Sequence, residues 1–140
     1  MSNQSTTKNA LSALSAIPGK CAFCAHRKEC RATVGIMFGF CNADYTPDLD
    51  RLSAAVRLAR RVDRWEKAWF TWDYADAVET CGGHAAKIKE YAVLLLDGGD
   101  YIIECLEECL EDLEGEETSE HYRCADRLLR AVRVFCADIN

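Results

Sequence analysis

Long apolar runs are scarce in this chain. The longest, Tyr91 to Leu96, is six residues, against the roughly 20 that a membrane-crossing helix requires. No membrane span is expected. The first twenty residues carry neither the basic start nor the continuous apolar stretch of a secretory signal, and the nine cysteines are odd in number. Reduced thiols in a cytoplasmic protein fit this better than a disulfide framework. Histidine is also sparse, at three residues, and there is no G-x-S-x-G, no phosphate-cradling glycine loop and no H-E-x-x-H. Without such a constellation an enzyme is not expected. No segment alternates apolar and polar residues over strand length, and no internal repeat or low-complexity block occurs. These absences argue against sheet and repeat architectures.

Positive charge is missing from an entire segment. From Glu90 to Glu120 there are twelve acids and not one lysine or arginine. Residues 1–47 carry five basic and two acidic side chains, a balance of +3, so the net charge of -6 has its source in that acidic stretch. Hydrophobic residues make up 49% of the 140, enough to bury one core and to fit one compact domain.

Cysteine, by contrast, is abundant, and four of the nine are crowded together. Cys21, Cys24, Cys30 and Cys41 follow the pattern C-x2-C-x5-C-x10-C, around His26, Arg27, Lys28 and Arg31. A C-x2-C turn sets two sulfurs on one side of a tight loop, and two further thiolates complete the tetrahedral shell that zinc prefers. A zinc site is therefore expected. The run CAFCAHRKEC also resembles the C-x2-C-x5-C segment of iron–sulfur proteins, in particular the cluster-bearing end of RecB-like nucleases and the WhiB-like regulators; Gly35-Ile36-Met37-Phe38-Gly39 matches their downstream turn. That resemblance implies a 4Fe-4S cluster as the alternative cofactor, on these three thiols with Cys41 as the fourth. The competing reading is ordinary buried free cysteine, since Cys81, Cys105, Cys109, Cys124 and Cys136 are placed as alanine would be. Two smaller patterns offer ligands as well. Cys81-x2-His84 and His121-x2-Cys124 begin two helices and would make a Cys2His2 site if the fold joined them, and Cys105 and Cys109 lie one turn apart, as in helices that hold copper(I). Chance spacing and core packing are the plainer accounts of both.

The rest of the pattern is helical, and the expected class is all-α: a bundle of about four main helices with an N-terminal cysteine knuckle. Residues 1–20 read as a flexible polar terminus with a short helix over Ala10 to Ala16, residues 21–45 as the knuckle, and residues 46–140 as the bundle. Thr46 is the expected cap of a long helix, with Pro47 at its first position and Asp48 and Asp50 at the positive end of its dipole. Leu49, Leu52, Val56, Ala59, Val62, Trp65, Trp69 and Trp72 recur every three or four residues until Cys81-Gly82-Gly83. About 30 residues would span roughly 45 Å, too long for a globule of this size, so a bend is expected near Phe70 to Asp73. A second helix covers His84 to Leu96, with Ile88, Tyr91 and Leu95 inward and Lys87, Lys89 and Glu90 outward. The Asp97-Gly98-Gly99-Asp100 turn leads to a third, Tyr101 to Leu113, with Ile102, Leu106, Cys109 and Leu113 on one stripe and Glu104, Glu107, Glu108 and Glu111 on the other. The fourth runs from Ser119 to Ile139, apolar at Ala125, Leu128, Leu129, Val132, Phe135 and Cys136, with Arg123, Arg127, Arg130 and Arg133 toward solvent.

Function is expected to lie in macromolecular contact. The carboxylates of Glu104, Glu107, Glu108 and Glu111 suit a protein partner with a basic surface, as in an inhibitor of phage or mobile-element type that mimics nucleic acid. Trp65 and Trp69, at helical spacing, either form a core seam or leave apolar surface for the same partner. Arg51, Arg57, Arg60, Arg61, Arg64 and Lys67 give the long helix a basic flank that could pair with the acidic helix inside the bundle. The alternative is a zinc or iron–sulfur regulator or redox sensor that contacts nucleic acid through Arg27, Lys28, Arg31 and the helical arginines. Homo-oligomers remain open. Elemental analysis of protein purified without added metal is expected to find one equivalent of zinc, or about four of iron with visible absorbance; neither metal would leave the four thiols without a joint role.

Overall fold

The computed structural model describes residues 48–137, except the side chains of Thr71 and Trp72. The N-terminal segment 1–20, the knuckle 21–45 with Cys21, Cys24, Cys30 and Cys41, and Thr46 and Pro47 lie outside the described residues. Within them the fold is all-helical: α1 (Leu49–Trp69), α2 (Thr71–Cys81), α3 (His84–Leu96), α4 (Asp100–Asp112) and α5 (Glu120–Ala137), with no strand among the described residues.

Each helix starts and stops for a local reason. The cap of α1 is Asp48 rather than Thr46: its carboxylate accepts the Arg51 N–H at 3.1 Å, which satisfies a donor the helix cannot pair itself. The long helix does not merely bend near Phe70; it is interrupted. Phe70 takes φ -129° and ψ 44°, and its ring packs edge-on to Trp65 at 5.1 Å and 71°. That anchor stops the helical path and lets α2 fold back onto α3, a tertiary gain that local propensity does not register. Gly82, at φ 95°, then closes α2 through the left-handed conformation that glycine adopts without strain. Gly99 has a double duty: its N–H reaches the Leu94 carbonyl at 2.8 Å, and its own carbonyl accepts the Ile103 N–H at 2.8 Å. It closes one helix and opens the next. Ser119 caps α5 by accepting the Tyr122 N–H at 3.1 Å.

Helix α3 is the centre of the bundle and packs on all four others, while α4 rests mainly on α5. The core is built from Leu52 and Val56 of α1, Ile88, Leu95 and Leu96 of α3, Leu106 of α4 and Val132 of α5, all fully buried. Each such side chain contributes about 1.5–3 kcal/mol by leaving water. One member of the interior is not apolar. Lys87, expected on the solvent side with Lys89 and Glu90, is 1% exposed.

A side chain at Gly99 should be costly, because at φ +70° its Cβ would stand 2.6 Å from Cys136 Sγ. We expect Gly99→Ala to cost about 2 kcal/mol in urea unfolding. The loss should be smaller in a Cys136→Ala background, where the obstructing sulfur is gone; equal losses in both backgrounds would remove the steric account.

Candidate functional site

Lys87 is buried because α1 and α2 meet it with counter-charge and ring faces. Asp63 and Glu66 lie three residues apart on α1, and Lys87 and Tyr91 four apart on α3, so each pair shares a helix face. Lys87 Nζ donates to Asp63 Oδ1 at 3.2 Å and to Glu66 Oε1 at 2.5 Å. Tyr91 Oη donates to Glu66 Oε2 at 2.5 Å, and Tyr74 Oη of α2 lies 2.9 Å and 3.0 Å from the two Asp63 oxygens. His84 Nε2, at the start of α3, is 2.8 Å from Asp63 Oδ2. The ammonium also sits 4.1 Å from the Tyr91 ring centre and 5.1 Å from that of Tyr74, in range for a cation–π contact. Burial first, and the hydrogen bond to a carboxylate second, push both tyrosine hydroxyls well above their usual range. They stay protonated, as donors.

This cluster ties three helices together more readily than it does chemistry. The Asp63–His84 contact is of the kind that orients a base, yet Cys81, three residues before His84, is not activated. Cys81 Sγ donates to Glu90 Oε2 at 3.0 Å, and that hydrogen bond, with burial behind it, raises the thiol's pKa; a nucleophilic cysteine needs the reverse.

The second candidate is a cleft of about 280 Å³, bounded by Trp65, Glu66, Phe70, Tyr74, Cys105 and Cys109 among others. Burial raises the pKa of Cys105 and Cys109 alike, so both are held as thiols. His121 stands next to it: its ring stacks on Trp69 at 4.3 Å and 10°, and its Nε2 is 3.4 Å from Cys109 Sγ. Burial pulls its pKa below the usual histidine value, partly opposed by Glu116. The Cys2His2 grouping of Cys81, His84, His121 and Cys124 is accordingly taken apart: His84 belongs to Asp63, Cys81 to Glu90, and His121 to Cys109 and Trp69. Among the described residues no three His, Cys, Asp or Glu side chains form a group able to hold a metal.

The expected contact residues are placed as follows. Glu104, Glu107, Glu108 and Glu111 are all exposed on α4. Glu107 pairs with Arg133 of α5; the other three have no ion-pair partner among the described residues. Because α4 rests on α5, the α1 arginines do not neutralise it. Trp65 is 9% exposed and belongs to the core, whereas Trp69 is 37% exposed. Of the basic flank, Arg51 is buried, with its guanidinium 4.3 Å from the Phe135 ring centre.

No family model, no curated protein and no solved structure matches this chain. The reading of its surface therefore rests on its own residues.

Sequence reasoning missed the ionic cluster, although a signal was there. Asp63 falls inside the apolar run of α1, next to Val62, and Lys87 is four residues before the inward Tyr91. Two opposite charges on the inner faces of neighbouring helices mark a buried pair. Removing one side should be severe: we expect Lys87→Ala to cost about 3 kcal/mol in urea unfolding, since buried Asp63 loses the ammonium and keeps only Tyr74 and the partly exposed His84. Asp63→Leu combined with Lys87→Met should cost less than the sum of the two single losses; strict additivity would mean that the pair is not coupled.

Proposed function

We propose that the protein is a non-enzymatic binding protein that docks the exposed face of α4 onto a protein partner with a basic surface. The observation that carries this reading is the exposed row Glu104, Glu107, Glu108 and Glu111, which has a single intramolecular cation, Arg133, among the described residues. Like charges three and four residues apart on a helix repel by a few tenths of a kcal/mol per pair, and a cationic surface relieves that repulsion on binding. A helix displaying regularly spaced carboxylates suits a basic groove otherwise occupied by a phosphate backbone, so the protein acts as an inhibitor by nucleic-acid mimicry, of the kind a phage or mobile element would carry. Long-range attraction speeds the encounter. Trp69, partly exposed on α1, offers further contact area. In the same proposal Cys21, Cys24, Cys30 and Cys41 hold zinc, or a 4Fe-4S cluster, and staple the N-terminal segment; their spacing is the support for it.

The test is capture of a partner by the wild-type protein beside a variant with Glu104, Glu107, Glu108 and Glu111 all changed to Lys, with circular dichroism to show that the variant keeps its helices. The partner should be a protein of basic surface, released by added salt, and its affinity for the variant should fall at least about tenfold. Unchanged affinity, or a partner indifferent to salt, would sink the acidic-face reading.

A further inference from the structure

A second surface carries the opposite charge. Between α1 and α5 lies an open groove of about 270 Å³, bounded by Arg61, Arg64 and Trp69 on one side and Cys124, Arg127 and Leu128 on the other, with no acid in its lining. All three arginines are exposed. Elsewhere on these helices arginines are engaged with oxygens of the chain itself: Arg57 with Ser53 Oγ at 2.8 Å, Arg123 with the Thr118 carbonyl at 2.7 Å, Arg130 with Asp126 at 3.1 Å, and Arg133 with Glu107. Arg61, Arg64 and Arg127 have no oxygen partner among the described residues; Arg127 has only the Cys124 sulfur, at 4.0 Å. Three exposed guanidinium groups without an oxygen partner among the described residues thus gather around the groove. Three like charges around one depression repel, and an anion placed there removes the repulsion.

Trp69 narrows the class of anion. One face of its indole is covered by His121 at 4.3 Å and 10°, which holds the ring in place, yet the residue remains 37% exposed and lines the groove. The indole nitrogen of Trp65, another lining residue, is buried with no acceptor among the described residues. Guanidinium groups pair bidentately with phosphate oxygens, and a fixed aromatic surface stacks a base. An acidic peptide would use the first property and leave the second idle. We propose that this groove binds single-stranded nucleic acid, with phosphates on Arg61, Arg64 and Arg127 and a base against Trp69. The groove shares Trp69 with the partner contact proposed above, but its arginines lie apart from the carboxylates of α4, so charge reversal on α4 tests that reading and the arginine variants test this one.

Fluorescence anisotropy of a labelled oligothymidine of about a dozen nucleotides, titrated with the full-length chain at low salt, tests this. Binding is expected, with log affinity falling against log salt at a slope near -2, about -0.7 for each of three phosphate contacts. The pair Arg61→Gln/Arg64→Gln should weaken binding about tenfold or more, and Arg127→Gln alone severalfold. Trp69→Ala should also weaken it while Trp69→Phe retains it, because a phenyl ring still stacks. Lys89→Gln/Arg133→Gln removes equal charge outside the groove and should change affinity less than about twofold. Substitution of Glu104 and Glu111 by Gln should not weaken binding. Three results would overturn the proposal: no binding at low salt, equal losses from the groove pair and the control pair, or displacement of the oligonucleotide by polyglutamate at matched charge. Circular dichroism of each variant separates loss of binding from loss of fold.

Discussion

A buried ammonium held between two carboxylates sets the relation of the first three helices. Lys87 of α3 reaches Asp63 and Glu66 of α1, while Tyr74 of α2 donates to the same Asp63. An ion in the interior is tolerable only when its partners are fixed at hydrogen-bond distance, so the geometry constrains more than hydrophobic contact would. Apolar side chains accept many rotations and slides; this cluster accepts few. It therefore explains why α2, none of whose described side chains is fully buried, keeps its place beside α1 and α3. His84, 43% exposed at its side chain, closes the cluster at the surface.

With α3 at the centre, the surface charge divides between the outer helices. Acidic α4 packs on α5, and the one cross-helix ion pair between them, Glu107 with Arg133, uses a fraction of the available charge. The remaining glutamates of α4 face outward, and three arginines of α1 and α5 gather around their own groove. Exposed pairs contribute at most about 1 kcal/mol each, so little stability is forgone by keeping the two signs apart. What the separation provides is two surfaces of opposite charge, the carboxylate face of α4 and the arginine-lined groove between α1 and α5.

Much of this architecture was legible in the residues. The double glycines at 82–83 and 98–99 mark the helix ends closely enough that α3 runs over His84–Leu96 as its periodicity predicts. The apolar stripes of α4 and α5 also point inward as expected, because their periods are regular and their outer faces strongly charged. The break at Phe70 was only half legible: length argued for a bend, but the packing of Phe70 on Trp65, which turns it into an interruption, joins residues through the folded core. Lys87 was misplaced since its burial depends on partners 21 and 24 residues away; its spacing from Tyr91 put it on the inward face, but only Asp63 and Glu66 across the helix interface make that position tolerable for an ammonium.

Composition and periodicity by themselves determined the helical class, the turn positions and the segregation of acid into one stretch, for these follow from local conformational preference and from which side chains water tolerates. Tertiary structure alone decided which charges face each other. Coulombic pairing and desolvation depend on distance in space, and only the closed bundle brings Asp63 to Lys87, parts His84 from His121, and leaves Arg61, Arg64 and Arg127 around a groove without a carboxylate.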